Sequence, residues 1–337
     1  MLQKNTQRPI PFFYKLIAAL LALFLMFMIA SVCGAAKTPL QDVWLALTSN
    51  VKNDVTLMLR EIRFPREIGA IFVGAALSVS GAIMQGLTRN PLADPGLLGL
   101  TAGASAALAI TGALIPSANY VAITIACFIG AAIGTLLVFG ISMINRRSVS
   151  PLRIVLAGAA VSSFLYAISE GVGIYFKLSK NVTMWTAGGL IGTTWTQLQL
   201  IVPIIIIGIL VSLFLARQLT ILSLNEEVAV GLGQKTTQVR ILLFVVIILL
   251  AGASVALVGN MVFIGLMVPH IVRAIVGTDY RFILPMSAIV GATFMLFADT
   301  IGRTIYAPYE TPVVAIVAVF GLPFFLIIVR KGGRMFS

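Results

Sequence analysis

Apolar runs separated by short polar segments recur along the whole chain, and each run is about 20 residues long, enough for one helix to cross a membrane. The pattern therefore predicts an all-α membrane protein with about ten transmembrane helices. We expect one domain over residues 1–337, with an N-terminal tail over 1–11. The predicted spans, with ends placed to within a few residues, are 12–33, 64–84, 97–115, 121–144, 152–173, 198–216, 238–258, 262–276, 283–301 and 312–329.

The composition agrees with a membrane protein. Of the 337 residues, 59% are apolar and only 10% are charged, and the mean hydropathy is +1.06. The first apolar run is too long, and too poorly followed by a cleavage signal, to be a removable signal peptide, so we expect it to remain as a span. Cys33 and Cys127 lie in or beside apolar runs, which predicts small apolar side chains rather than a disulfide or a metal site.

Small residues and prolines within the spans predict a closely packed bundle. Gly99/Gly103 and Gly130/Gly134 are small-xxx-small pairs, which let two helices approach closely. Prolines interrupt four spans, at positions 203, 269, 285 and 323. Each proline leaves one helix carbonyl without its partner, which a membrane tolerates only where a neighbouring helix or a polar path supplies one.

Positive charge is unevenly distributed between the two sides of the predicted membrane. With the N-terminus in the cytoplasm, the inner segments carry a net charge of +11 and the outer segments +1, out of +12 for the chain. An excess of Lys and Arg in cytoplasmic loops sets orientation. An even number of spans and this bias predict that both termini are cytoplasmic. Topology therefore accounts for the basic excess, and nucleic-acid binding is not indicated.

The longest polar interruption in the second half of the chain is Leu219–Thr237, between the sixth and seventh predicted spans. Ser223-Leu224-Asn225-Glu226 has the form of a capping box, in which Ser and Glu exchange hydrogen bonds with the backbone. Glu227 adds an acid to the first turn, and Gly231 and Gly233 are stop signals. We predict a capped helix of about two turns. Two interpretations stay open: a handle for a partner protein, or an interfacial helix on lipid headgroups.

Residues that support catalysis are sparse. His270 is the single histidine, and the sequence has no Ser/His/Asp set, no His/Cys metal cluster and no phosphate-binding Gly-x-x-x-x-Gly-Lys-Ser/Thr loop. We interpret His270 as a helix-packing or gate residue. Glu170 and Asp299 are acids within spans, where ionisable groups are functional candidates by default. Arg303 follows Asp299 by four positions, and we interpret that pair as structural. The role of Glu170 stays open.

Arginines cluster at the outer end of the second predicted span. Arg60, Arg63 and Arg66 are spaced three apart, and Arg303 falls on the same side. Outer loops are normally poor in Arg. A guanidinium grips a carboxylate through two parallel hydrogen bonds, so one interpretation is a dock for an acidic partner arriving from outside. The alternative is headgroup anchoring with pairing to neighbouring glutamates.

A set of short motifs runs in order from about residue 60 to residue 330. In the first half they are Arg63-x-Pro65-Arg66, Gly74-Ala75-Ala76-Leu77, Ser80-Gly81, Gln85, Arg89-Asn90-Pro91-Leu92-Ala93-x-Pro95 and Leu97-Leu98-Gly99. In the second half they are Leu232-Gly233, Gly259, Phe263-Ile264-Gly265-Leu266, Pro269-His270-Ile271-x-Arg273, Ala298-Asp299 with Arg303, and Glu310-x-Pro312. Together they resemble the signature of the FecCD permeases, the membrane subunits of bacterial ABC importers for iron–siderophores, haem and cobalamin.

The resemblance implies an architecture and a set of partners. The fold is expected to be the ten-helix bundle of a type II importer, like the cobalamin importer, in the bacterial cytoplasmic membrane. Two permease subunits are expected side by side, more often related than identical in iron–siderophore importers. Two ATPase subunits bind beneath them and use ATP and Mg, so this chain binds no cofactor of its own. An extracytoplasmic substrate-binding protein delivers the cargo.

The resemblance also implies roles for particular residues. The segment that couples the permease to its ATPase maps onto Ser223, Leu224, Asn225, Glu226, Glu227, Val228, Gly231, Leu232 and Gly233. The arginines that dock the substrate-binding protein map onto Arg63, Arg66 and Arg303. A weaker correspondence places an inner gate at Ser150, Pro151 and Leu152.

The leading hypothesis is a permease subunit for ferric siderophores, without catalytic chemistry of its own. A cobalamin or haem importer is the alternative within the family. An ATP-independent secondary transporter is an alternative from another class, and it predicts activity without any ATPase. A membrane enzyme is disfavoured because the sequence has no catalytic set.

Overall fold

The computed structural model describes residues 11–34, 38–143, 151–224 and 226–330. Over these residues the chain is all-α, without a β-strand. The helices of its first half are α1 (Phe12–Val32), α2 (Leu40–Thr48), α3 (Asp54–Met58), α4 (Phe64–Thr88), α5 (Leu100–Leu114), α6 (Tyr120–Met143) and α7 (Pro151–Tyr175). Those of its second half are α8 (Ser179–Thr186), α9 (Trp195–Phe214), α10 (Ala216–Leu224), α11 (Glu226–Gly231), α12 (Thr236–Val258), α13 (Ile264–Val276), α14 (Tyr280–Thr304) and α15 (Val313–Arg330).

Among the described residues, seven helices are long and apolar enough to cross a membrane. The other three predicted spans fall on shorter apolar helices, α5, α13 and α15. The all-helical prediction is confirmed, whereas ten full crossings stay a prediction. The second span is longer than predicted, because a π-helical turn over Leu59–Arg63 joins α3 to α4 in one continuous helix. Pro65 follows the π-helical turn directly, at the start of α4.

The two ends of the bundle carry different sets of contacts. We call the end that contains Arg66 the outer end and the end that contains Thr220 the inner end, following the orientation that the charge distribution predicts.

The helix α4 is the centre of the bundle, and it packs against α9, α12, α13 and α14. Two of its glycines allow this packing: a Cβ at Gly74 would strike the backbone of Gly291 in α14, and one at Gly81 would strike that of Gly265 in α13. Lipid tails are as apolar as leucine, so helices in a membrane associate through such close van der Waals packing rather than through burial from water.

The small-residue pairs predicted from the sequence meet each other. Gly103 of α5 lies against the backbone of Gly130 in α6, and Gly134 lies against Gly99. All four glycines therefore line one contact between α5 and α6, and each pair allows the close approach of helices that its spacing predicts. The four span prolines also lie inside helices, in α9, α13, α14 and α15.

Candidate functional site

A cluster of charged side chains lies at the outer end, and we call it the outer ion-pair network. Its members are Arg63, Arg66, Glu67, Asp299, Arg303 and Glu310. Five of them are at most 7% exposed, and only the Glu310 side chain, at 33%, reaches the surface. Three arginines face three acids, so the formal charges cancel, which is the condition under which buried charges are tolerated.

Arg66 and Asp299 form the centre of the outer ion-pair network. Arg66 donates from Nε and Nη2 to Asp299 Oδ1, at 3.0 and 2.9 Å, and from Nη1 to Glu310 Oε1 at 2.7 Å. Asp299 Oδ2 lies 3.1 Å from Nε of Arg303, one helical turn further along α14. The predicted pairing of Asp299 with Arg303 on one helix face is confirmed.

The same network attaches α1 to the bundle. Glu67 Oε2 accepts a hydrogen bond from the Ser31 hydroxyl at 2.7 Å, and its Oε1 lies 3.7 Å from Nη2 of Arg303. Arg63 Nη1 donates to the Ser31 carbonyl at 2.6 Å and to the Thr38 hydroxyl at 2.7 Å. The end of α1 is therefore held by charged groups of α4 and α14.

The four arginines predicted at the outer end, Arg60, Arg63, Arg66 and Arg303, have two different structural roles. The docking role of Arg63, Arg66 and Arg303 stays a prediction, and the structure buries all three, at 6%, 7% and 5% exposure. The reason is that α1 and α14 supply hydrogen-bond partners that the local sequence does not show. Arg60 caps the end of α2, where its Nε donates to the Ala46 carbonyl at 2.8 Å and its Nη1 to the Val51 carbonyl at 3.2 Å.

The predicted coupling segment, residues 219–237, lies at the inner end, where it covers the second part of α10, all of α11 and the first two residues of α12. The capping-box prediction is wrong, because Ser223 lies inside α10 and its hydroxyl donates to the Thr220 carbonyl at 2.7 Å. Tertiary packing extends that helix, since Leu219 and Leu222 are fully buried in the bundle. Asn225 lies outside the described residues.

A short helix with a glycine stop does follow, as predicted. The amide of Gly233, whose φ is +76°, donates to the Val230 carbonyl at 2.8 Å, and the Gln234 amide donates to the Ala229 carbonyl at 3.0 Å. This is a Schellman motif, in which glycine adopts the left-handed conformation without a Cβ penalty.

Apolar side chains project outward from the coupling segment. The side chains of Leu224, Val228, Val230 and Leu232 are 46–70% exposed, and Glu227 is exposed beside them. An apolar patch with an adjacent acid, held on rigid helices, is typical of a surface that binds another protein.

The coupling segment is fastened to the central helices. The Tyr280 amide, at the start of α14, donates to the Thr220 hydroxyl at 3.0 Å, and Arg89 Nε, at the end of α4, donates to the Leu222 carbonyl at 3.2 Å. Arg89 has a φ of 50° and forms the left-handed cap of α4. These contacts were not predicted, because they join positions far apart in the sequence.

A cavity of about 580 Å³ opens between α5, α7, α13 and α15. Its wall is mostly apolar, and its polar groups are Asp94, Thr101, Ser162, Tyr166 and Asn260. Burial raises the pKa of the Asp94 carboxyl to about 6, although the hydrogen bond from the Gly96 amide lowers it. Among the described residues no group of His, Cys, Asp or Glu forms a metal site. Such a wall suits a bulky cargo bound through apolar and weakly polar contacts.

The remaining candidates lie near the cavity or on its helices. Of the predicted inner gate, Ser150 lies outside the described residues, while Pro151 and Leu152 begin α7, one turn before the cavity residue Val155. The gate therefore stays a prediction. His270 is 7% exposed and its ring lies edge-on to Phe324, which agrees with a packing role. Glu170 is exposed on α7.

The profile of the FecCD transport family matches residues 20–331. The chain belongs to the FecCD transport family. Among FecCD relatives, it is 40% identical to the iron(3+)-hydroxamate import system permease protein FhuB of Bacillus subtilis, over 95% of this chain and 83% of that protein. It is 39% identical to the Fe(3+)-citrate import system permease protein YfmD of Bacillus subtilis, over 83% of each chain.

The fold agrees with that of a solved transporter chain. That chain is described as part of a metal-chelate type ABC transporter in an inward-facing conformation. The TM-score is 0.83 at 25% identity, over 94% of this chain and 99% of that chain. The bundle described above is therefore the fold of an ABC importer permease.

Proposed function

We propose that this FecCD chain is the permease subunit of an ABC importer that takes up ferric chelates, with siderophore complexes as the leading cargo. The observation that carries the proposal is an exposed apolar coupling segment that is hydrogen-bonded to α4 and α14, two helices that pack against the cavity helix α13. Relatives named for hydroxamate and citrate import support the cargo class.

Transport needs a second permease and an ATPase in this proposal. Beside the cavity, α15 exposes Val319, Leu322 and Leu326 at 52–68%, so the open side of the cavity is suited to closure by a related permease chain. The sequence has no phosphate-binding loop, so ATP and Mg are used by the partner ATPase. When the ATPase subunits close on ATP, they move the coupling segment, and the helices rotate as rigid bodies until the cavity faces the cytoplasm. The chelate then leaves without any covalent step.

A substrate-binding protein is proposed to dock at the outer end. Glu310 is the exposed edge of the outer ion-pair network, and it shares Arg66 with the buried Asp299. An acidic side chain of a docked protein would compete with Glu310 for the Nη1 edge of Arg66, while Asp299 keeps the rest of the guanidinium neutralised. Arg63 and Arg303 act in this proposal by holding the network in place.

Uptake by cells that lack the gene tests the cargo. We expect loss of uptake of one radiolabelled ferric siderophore and unchanged uptake of haem and cobalamin. Loss of cobalamin uptake alone, or of haem uptake alone, would instead identify that compound as the cargo. Activity of the purified permease in liposomes without an ATPase would favour a secondary transporter and would contradict the proposal.

The coupling role is tested by charge reversal on α11. In the double variant Glu226→Lys with Glu227→Lys, we expect the reconstituted complex to lose cargo-stimulated ATP hydrolysis, because cations replace two acids of the segment that is proposed to bind the ATPase. The matched control is Lys180→Glu, a reversal in the exposed helix α8 at the outer end. Normal stimulation in the double variant would contradict the coupling role.

A further inference from the structure

The structure points to a chain of polar contacts between the coupling segment and the cavity wall, and we propose that Gln85 and Arg273 are positioning residues that transmit movement along it. The inference rests on the proposed coupling role of α10 and α11. Neither residue touches the ATPase surface or the cavity directly, and both act through the helices that they join.

Gln85 supplies a hydrogen bond that a proline in α13 cannot. Pro269 has no amide hydrogen, so the Gly265 carbonyl, four positions earlier in α13, has no partner within its own helix. Gln85 Nε2 donates to that carbonyl at 3.1 Å and to the Leu266 carbonyl at 3.2 Å. Gln85 is 2% exposed, and Leu266 also lines the cavity. One side chain of α4 therefore holds the part of α13 that forms the cavity wall.

Arg273 connects Gln85 to the inner end. Its Nη2 donates to Gln85 Oε1, and its guanidinium interacts electrostatically with the Tyr280 hydroxyl. Tyr280 is 4% exposed, and its amide donates to the Thr220 hydroxyl of α10 at 3.0 Å. Polar groups thus follow one another from α10 through Tyr280, Arg273 and Gln85 to the wall of the cavity.

Tight packing makes these contacts rigid. A Cβ at Gly86 of α4 would lie 2.7 Å from the Tyr280 hydroxyl and 2.9 Å from Leu219 of α10. A Cβ at Gly81 would strike the backbone of Gly265. The helix α4 contacts both α10 and α13 at van der Waals distance. We therefore expect a displacement of the coupling segment to move α13 as well, because no free space between the helices can absorb it.

Pro269 allows an experiment that distinguishes two roles of Gln85: transmitting movement between helices, and supplying a hydrogen bond to the Gly265 carbonyl. In Gln85→Leu, the Gly265 carbonyl loses its donor and Arg273 loses its acceptor. The second change Pro269→Ala restores an amide that bonds Gly265 within α13, but it does not restore the link to Arg273. The assay is uptake of a radiolabelled ferric trihydroxamate per ATP hydrolysed, in the complete reconstituted importer with its binding protein, together with Tm in detergent.

We expect Gln85→Leu to lower Tm and to reduce transport per ATP by about tenfold. The double variant Gln85→Leu with Pro269→Ala should recover Tm while transport per ATP stays low, and Pro269→Ala alone should stay near wild type. Recovery of both quantities in the double variant would overturn the proposal, because Gln85 would then only satisfy a carbonyl.

Variants of Arg273 give a second readout. Arg273→Lys keeps a donor towards Gln85 and should retain much of the coupling, whereas Arg273→Met should lose as much as Gln85→Leu. Combining Arg273→Met with Gln85→Leu should add little further loss, since both break one chain of contacts. Fully additive losses would overturn the proposal. The Gln85 and Arg273 variants can also be compared with the reversal of Glu226 and Glu227. If the former transport normally per ATP while the latter still lacks cargo-stimulated ATP hydrolysis, the role of Gln85 and Arg273 is refuted and the role of the coupling segment stands.

Discussion

Arg66→Glu will leave little folded permease in the membrane. The guanidinium is 7% exposed and is the main partner of Asp299, which is fully buried beside the buried Glu67. Removing one partner of a buried ion pair costs about 3–5 kcal/mol, and the reversal adds a fourth carboxylate to the outer ion-pair network. Such a loss is a large share of the total stability of a folded protein. Fluorescence-detected size exclusion of the solubilised protein measures it.

The matched control for this reversal lies at the inner end. Arg281 forms an equally close pair with Asp279, 2.6 Å between Nη2 and Oδ2, but its side chain is 61% exposed. Arg281→Glu should therefore leave the amount of folded protein close to wild type, since water replaces the lost partner. Equal yields from Arg66→Glu and Arg281→Glu would show that burial of the outer network contributes nothing to stability.

Docking must be tested without breaking the network. Glu310→Gln removes the exposed acid while Asp299 continues to neutralise Arg66. We expect an unchanged yield of folded protein and tighter, more salt-sensitive association with the binding protein, because Arg66 Nη1 loses its internal competitor. An association constant and a salt dependence equal to wild type would show that the binding protein does not use this edge.

Gly81→Ala will separate α4 from α13 and abolish transport. A methyl group at this position would occupy the place of the Gly265 backbone, and a backbone cannot rotate away as a flexible side chain does. Overpacking in a well-packed core costs about 1–3 kcal/mol, and more where the backbone itself must move. The separation also lengthens the hydrogen bond from Gln85 to Gly265, which is 3.1 Å in the wild type. Thermal unfolding in detergent and iron uptake measure the two effects.

Gly140→Ala is the matched control, because a Cβ on this exposed glycine of α6 meets nothing within 4 Å. Alanine is favoured over glycine in a helix by about 1 kcal/mol, so this variant should be as stable as wild type or slightly more stable. A Gly81→Ala protein with unchanged Tm and uptake would show that α4 and α13 can separate without loss of stability or transport.

Much of this protein is determined by its sequence alone. The apolar runs place the long helices, since a helix in lipid must satisfy its backbone internally and present apolar side chains outward. The motifs identify the family, and the pairing of Asp299 with Arg303 follows from a spacing of four on one helix. The glycine stop at Gly233 and the close approach of helices at the small-residue pairs were predicted for the same reason, because each depends on a short local pattern.

The tertiary structure decided which polar groups are available to partners. Arg66 meets Asp299 across 233 positions, so the burial of the arginines has no local signal. The cap at Ser223 was overridden because Leu219 and Leu222 extend α10 into the bundle. Pro269 revealed that a carbonyl needed a donor, but only packing of α4 on α13 shows that the donor is Gln85. Local patterns fix helices and their caps, whereas long-range pairing fixes the partners of buried charges and carbonyls.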